Sequence, residues 1–266
     1  CLIRKSNGTT IYATRDLTAA IDRFESYQFD EALYVVGHEQ TLHFQQVKHV
    51  LDKMEFPWAK NVKHIPFGMM LKDGKKMSTR QGKTILLEEV LNEAIQKAAI
   101  NIEEKNPTLQ DKSKVAEQVG VGAVIFHDLK HDRRNDVEFS IEDMLTFEGN
   151  TAPYLQYSYV RANSLLKKGK FNSETTATEL EDPLAWPLVK MIREYPYVVK
   201  KSFINYDPSK MAKYLLDLAK SFNKYYAETK ILESDHLNAR MTLIYAFTIV
   251  LKDGLALLGI ETPEEM

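Results

Sequence analysis

The spacing of apolar residues changes character once along the chain, near residue 100, and this change limits the possible folds more than any other feature. Before it, strand-like and helix-like pieces alternate. "TTIYAT" (9–14) is β-branched and aromatic and predicts a strand. In "DLTAAIDRFESY", Leu17, Ala20, Ile21 and Phe24 fall at helical spacing. "ALYVVG" is a short apolar run ended by Gly37, the pattern of a buried parallel strand. Val47, Val50, Leu51 and Met54 then mark a helix that Pro57 closes. "VKHIPFGMML" predicts another strand, and Leu87, Val90, Leu91, Ala94, Ile95 and Ala98 another amphipathic helix. Alternation of this kind predicts a doubly wound parallel sheet. The strands are too few for a complete one, so the expectation is half a domain.

Beyond residue 100 the strand signals fade. "NPT" at 106–108 is a break, and residues 113–130 predict a helix with "VGVGAVIF" on its buried face. Asn150 or Thr151 can cap a helix with Pro153 in its first turn. Asp207 and Pro208 open another, with Met211, Leu215, Leu218 and Phe222 as its core stripe. Leu237 to Leu258 is long and largely apolar, and Gly259 and Pro263 stop it. The fold expected is therefore α/β followed by an all-α bundle, with residues 169–183 as a loop inside the bundle. Neither an internal repeat nor a low-complexity tract is present.

The net charge near −2 gives no overall field that would attract a polyanion, so such a partner needs local basic patches. One Cys, Cys1, excludes an internal disulfide framework and fits a reducing cytoplasm. No apolar run approaches a membrane span, and no signal peptide opens the chain. The first residue is Cys rather than Met, and the opening residues already have the character of a domain interior. The chain is expected to be part of a longer protein.

The densest basic stretch is "DGKKMSTRQGK" (73–83), with Lys72 just outside it. Lys75, Lys76, Arg80 and Lys83 can converge on phosphates, and Gly74 and Gly82 let the backbone bend and approach a ligand closely. On composition alone a solvated basic loop is the commoner explanation. The seven His show no ligand spacing and there is no second Cys, so no metal site is expected.

"KMSTR" resembles the lysine-methionine-serine loop of class I aminoacyl-tRNA synthetases, and within that class it is most similar to arginyl-tRNA synthetases. "YATRDLTAAIDR", "YVVGHEQTLHFQQV", "GNTAPYLQYSYVRA" and "VLKDGLALLGIETPEEM" resemble the same family in the same order, so the resemblance covers essentially the whole chain. The class's other ATP motif, H-x-G-H, does not occur. The resemblance therefore implies the C-terminal half of a Rossmann-type nucleotide-binding domain followed by a helical-bundle anticodon-binding domain. Its parts would be 1–100, the second half of the catalytic domain; 101–149, a helical connector; and 150–266, the anticodon-binding domain. The implied activity is that of an arginine–tRNA ligase. It activates L-arginine with ATP to the adenylate and passes it to the terminal adenosine of tRNA(Arg). Mg²⁺ would arrive with ATP, held mostly by phosphates. The resemblance further implies a cytoplasmic monomer, inactive as this piece alone.

The family's functional residues fall on specific positions. Lys76, Ser78 and Arg80 would act on the phosphates; Thr79 stands where a second Lys is usual, with Arg80 as the adjacent cation. Asp16 would meet the arginine guanidinium, with Tyr12 and Gln40 beside it. Gly37, His38, Gly68, Met69 and Lys76 would bind ATP at the ends of the strands. His43 and Gln46 lie a turn further along the next helix. Tyr154, Tyr157 and Arg161, with Arg133 and Arg134 of "DLKHDRRND", would hold tRNA bases and phosphates. Plainer roles compete: Asp16 as an acid at a helix start, Tyr12 as a strand core residue, Gln40 as a solvated helix-start residue, and some of the tyrosines as core. Two other functions also stay open: an RNA-binding piece without activity, or a class I synthetase for another amino acid such as cysteine. The latter would call for thiol ligands, often zinc, and a single Cys argues against it.

Overall fold

A computed structural model describes all of residues 1–266 except 73, 77–85, 175–176, 178–179, 181 and 234–235. Two compact units emerge: Cys1–Leu71 with Arg133–Val137, and Lys72–Asp132 with Glu138–Met266.

In the first unit, the strand expected over 9–14 is replaced by a helix, α1 (Tyr12–Tyr27), which follows an extended Ile11. Upstream, an isolated antiparallel bridge joins Arg4 to Thr10. The β-branched residues carry only a weak strand preference. Ala13 joins Leu17 and Ala20 in a buried i, i+4, i+7 stripe, and that packing decides in favour of helix. The strand β1 (Ala32–Gly37) and β2 (Val62–Phe67) pair in parallel, from Ala32↔Val62 to Gly37↔Phe67. The crossover between them is α2 (Thr41–Lys53) followed by a 3-10 turn at Pro57–Asn61. The core is Leu17, Ala20, Val47, Leu51, Ala59 and Val62 around Trp58, on which Phe24 stacks with centroids 4.9 Å apart. Leu33 and Val35 leave one face of β1 exposed, although its composition is that of a strand buried on both sides.

The run "VKHIPFGMML" is not one strand. It breaks at Gly68–Met69 between β2 and β3 (Met70–Lys72). Gly68 N–H donates to Arg133 O (2.6 Å), and Met69 N–H donates to the Asp136 carboxylate (2.7 Å). The short strands β3, β4 (Lys75–Lys76) and β5 (Val137–Glu138) lie where the chain passes from one unit to the other.

The second unit is helical. The helices α3 (Leu87–Lys105) and α4 (Lys112–Leu129) pack backbone to backbone at Gly120, and Ile102, Val115 and Val119 with Ile141 and Met144 of the short α5 (Ile141–Met144) form their core. Four long helices make the bundle: α6 (Ala152–Lys168), α7 (Trp186–Asn205), α8 (Ser209–Glu228) and α9 (Leu237–Leu257). Leu155, Leu188, Leu215, Leu218, Ile244 and Leu251 fill its centre, where Phe222 stacks on Phe247 at 4.2 Å. The caps follow the sequence: Thr151 Oγ1 accepts from Tyr154 N–H, and the Asp207 carboxylate accepts from Ser209 N–H. The loop before α7 is tied into the bundle by Asp182, which accepts from Tyr225 OH (3.0 Å) and pairs with Arg240 (3.2 Å).

Candidate functional sites

The expected amino-acid pocket lies in the first unit. With α1 beginning at Tyr12, Tyr12 and Asp16 stand one turn apart on one side of the helix. The first turn carries no acid, so Asp16, in the second turn, is not there to complement the helix dipole. Tyr12 is 81% exposed and therefore not a core residue. Asp16 Oδ2 lies 2.5 Å from His43 Nε2, which α2 contributes. Gln40, exposed, ends the 3-10 turn His38–Gln40 that leads from β1 into α2. No sequence signal pointed to the Asp16–His43 contact, which spans 27 residues and two helices.

At the carboxyl ends of the strands, His38 Nδ1 lies 3.2 Å from Phe67 O, so the ring bridges the end of β1 to the end of β2. The two expected ligand-approach glycines differ. A Cβ on Gly37 would make only ordinary contact, 3.4 Å from Met69 Cε, so protein packing does not demand glycine there. A Cβ on Gly68 would fall 2.1 Å from Asn135 O, so here the chain's own backbone demands it. Both backbone groups of Met69 are engaged, the N–H with Asp136 and the carbonyl with Val137 N–H (2.9 Å). Gly74 takes the left-handed conformation, φ +69, and precedes Lys75–Lys76 of β4. Ser78 and Arg80 lie outside the described residues.

In the second unit, Tyr154, Tyr157 and Arg161 come together on a cleft of about 650 Å³, with Lys105, Phe147 and Met266 also on its wall. The Arg161 guanidinium sits between two rings, 4.8 Å from the Tyr157 centroid and 5.0 Å from that of Tyr226. It donates to Asn223 Oδ1 (2.7 Å), and Asn223 Nδ2 donates in turn to Tyr154 OH (3.0 Å) and Ser158 Oγ (2.8 Å). Asn223 and Tyr226 escaped the sequence reading. A polar Asn beside Phe222 of the α8 core stripe was their one signal. Tyr159 is buried core, as the plainer reading held.

The other expected RNA-facing residues lie in the first unit. The Arg133 guanidinium donates to Pro66 O (2.5 Å) and helps fix the end of β2, whereas Arg134 is exposed. In the second unit, Lys130 donates to Asn150 O (3.1 Å), and burial holds its ammonium below the usual lysine range. His131 Nδ1 bonds His127 O (2.7 Å).

A parallel strand pair with glycine-bearing turns at its carboxyl ends is joined in one chain to a helical bundle with an aromatic–cation cleft, which defines an α/β piece with a helical second part. The family profile described as "tRNA synthetases class I (R), catalytic domain" matches residues 1–141. The profile described as "DALR anticodon binding domain" matches residues 155–266. The chain belongs to the class I tRNA synthetase (R) family. It is 57% identical to arginine–tRNA ligase 2 of Bacillus anthracis and 52% identical to arginine–tRNA ligase of Lactiplantibacillus plantarum, in each case over 100% of this chain and 48% of the relative. The chain thus spans about half the length of the curated relatives it matches. Its fold matches the arginyl-tRNA synthetase of Thermus thermophilus with a TM-score of 0.91 at 27% identity, over 100% of this chain and 51% of that one.

Proposed function

We propose that this chain supplies the arginine-recognising and tRNA-recognising parts of an arginine–tRNA ligase. The observation that carries the reading is the exposed Tyr12 one turn before a carboxylate, Asp16, that among the described residues His43 alone engages. A guanidinium needs a planar anion and an aromatic face, and these two residues offer both. Gln40, exposed at the end of the 3-10 turn, would add a polar contact. Gly37, His38, Gly68 and Met69 lie at the strand ends, where an α/β sheet takes a nucleotide. Lys76, with Ser78 and Arg80, would steady the charge that builds on the phosphates of ATP. A Mg²⁺ arriving with ATP would be held mostly by the phosphates. Tyr154, Tyr157 and Arg161 would hold anticodon bases of tRNA(Arg) by stacking, and Arg133 and Arg134 would serve its backbone. We further propose that it works in the cytoplasm as a monomer. Among the described residues no helix is long and apolar enough to cross a membrane.

The test is Asp16→Asn in the whole gene product, assayed by arginine-dependent ATP–pyrophosphate exchange with tRNA present. Leaving the bound guanidinium without its anion costs about 3 kcal/mol, which is roughly 150-fold in the KM for arginine. An unchanged KM would remove Asp16 from the pocket.

A further inference from the structure

Asp16 does not stand alone. Its Oδ2 meets His43 Nε2 at 2.5 Å, and this bond ties the second turn of α1 to the first turn of α2. Among the described residues no donor bonds Oδ1. A carboxylate can accept about four hydrogen bonds, so most of its capacity stays available. His43 is itself braced. Its ring packs edge-on to Phe44 (5.3 Å), and Phe44 lies against Tyr34 of β1 (5.0 Å) and stacks on His64 of β2 (4.8 Å, 22°). His64 Nε2 in turn bonds Val36 O (3.0 Å). The parallel strand pair therefore buttresses the imidazole that reaches Asp16.

The chemistry of this donor matters. An unbraced Asp on a helix samples several rotamers, and a ligand that needs one of them bears the cost of selecting it. A Lys or Arg at position 43 would fix the rotamer but neutralise the anion. An imidazole N–H fixes it through one hydrogen bond to Oδ2 and leaves Oδ1 open to a cationic ligand. From this we propose, building on the arginine-pocket reading, that His43 is a positioning residue for substrate recognition. Its Nε2–H holds the Asp16 carboxylate in the orientation that receives the guanidinium of arginine.

Three substitutions in the whole gene product test this, read as separate KM values for arginine and ATP in pyrophosphate exchange. His43→Leu removes the donor and should raise the arginine KM roughly 10- to 100-fold, the usual effect of losing a partner that orients a binding group. The ATP KM should stay within a factor of about two. His43→Gln keeps an N–H donor and should recover most of the loss. His43→Lys holds the carboxylate but cancels its charge, and should be at least as damaging as His43→Leu. Wild-type arginine KM in His43→Leu, while Asp16→Asn is impaired, overturns the positioning role and leaves the pocket standing. Parallel loss for arginine and ATP with no rescue by Gln also overturns it, because that pattern marks a packing role. An unaffected Asp16→Asn instead overturns the arginine pocket, and the His43 role with it.

Discussion

Arg161 is held by two rings and an amide, so its position is set before any ligand arrives. Tyr157, 41% exposed, offers its outer face to the cleft. Tyr157→Ala should weaken binding of an anticodon stem-loop RNA by about 1–3 kcal/mol, the usual worth of one stacked base. Filter binding at several salt concentrations should show an unchanged salt slope, since no charge is lost. His127 makes a different prediction. It is 7% exposed, Nε2 bonds Glu138 O (2.9 Å), and among the described residues Nδ1 has no partner. Burial pushes the ring below its ordinary value of 6.5, reinforced by Lys130 and His131 and opposed by the Glu138 bond and Asp128. As pH falls below 6.5 the unfolded chain takes up the proton first, so the stability His127 contributes is complete above that pH and lost below it. Denaturation between pH 5 and 7.5 should show this decline, and His127→Gln should flatten it.

Secondary elements were legible where packing and local spacing agreed. The capped starts of α6 and α8 and the stripe of α8 could be read from Thr151, Asp207 and the apolar residues that follow. The helix α7 could not, because Pro187 and Pro196 mask it. Pro187 sits in the first turn, where a missing N–H costs nothing, and the Pro196 side is solvent-exposed. The start of α1 is hidden in the sequence because four β-branched residues, Thr9, Thr10, Ile11 and Thr14, outweigh Ala13, whose burial extends the helical stripe. Close helix contact carries a prediction. A Cβ on Gly120 would meet the Ile95 backbone at 2.7 Å, and backbone cannot swing aside as a side chain can. Gly120→Ala should therefore destabilise the second unit by about 1–3 kcal/mol or more, measured as a lowered urea midpoint. Asp182→Ala strands Arg240 and frees the loop before α7, and should cost about 3 kcal/mol in the same assay.

At the scale of the molecule, the described residues form three core clusters, one around Trp58, one around Val119 and Met144, and one around Phe222 and Phe247. The class of fold, α/β then all-α, was plain from the change in periodicity. Tyr12 and Asp16 were singled out by the family resemblance rather than by their spacing, and α1 sets them one turn apart. What joins Asp16 to His43, or Arg161 to Asn223 and Tyr226, is long-range, and no single-sequence pattern encodes a contact across 27 or 62 residues. Pyrophosphate exchange on the whole gene product, with each standard amino acid in turn and tRNA present, tests whether the first unit recognises arginine through Asp16. Exchange is expected with arginine alone, with an arginine KM raised roughly 150-fold in Asp16→Asn. Exchange driven by another amino acid, or an arginine KM untouched by that substitution, would contradict it.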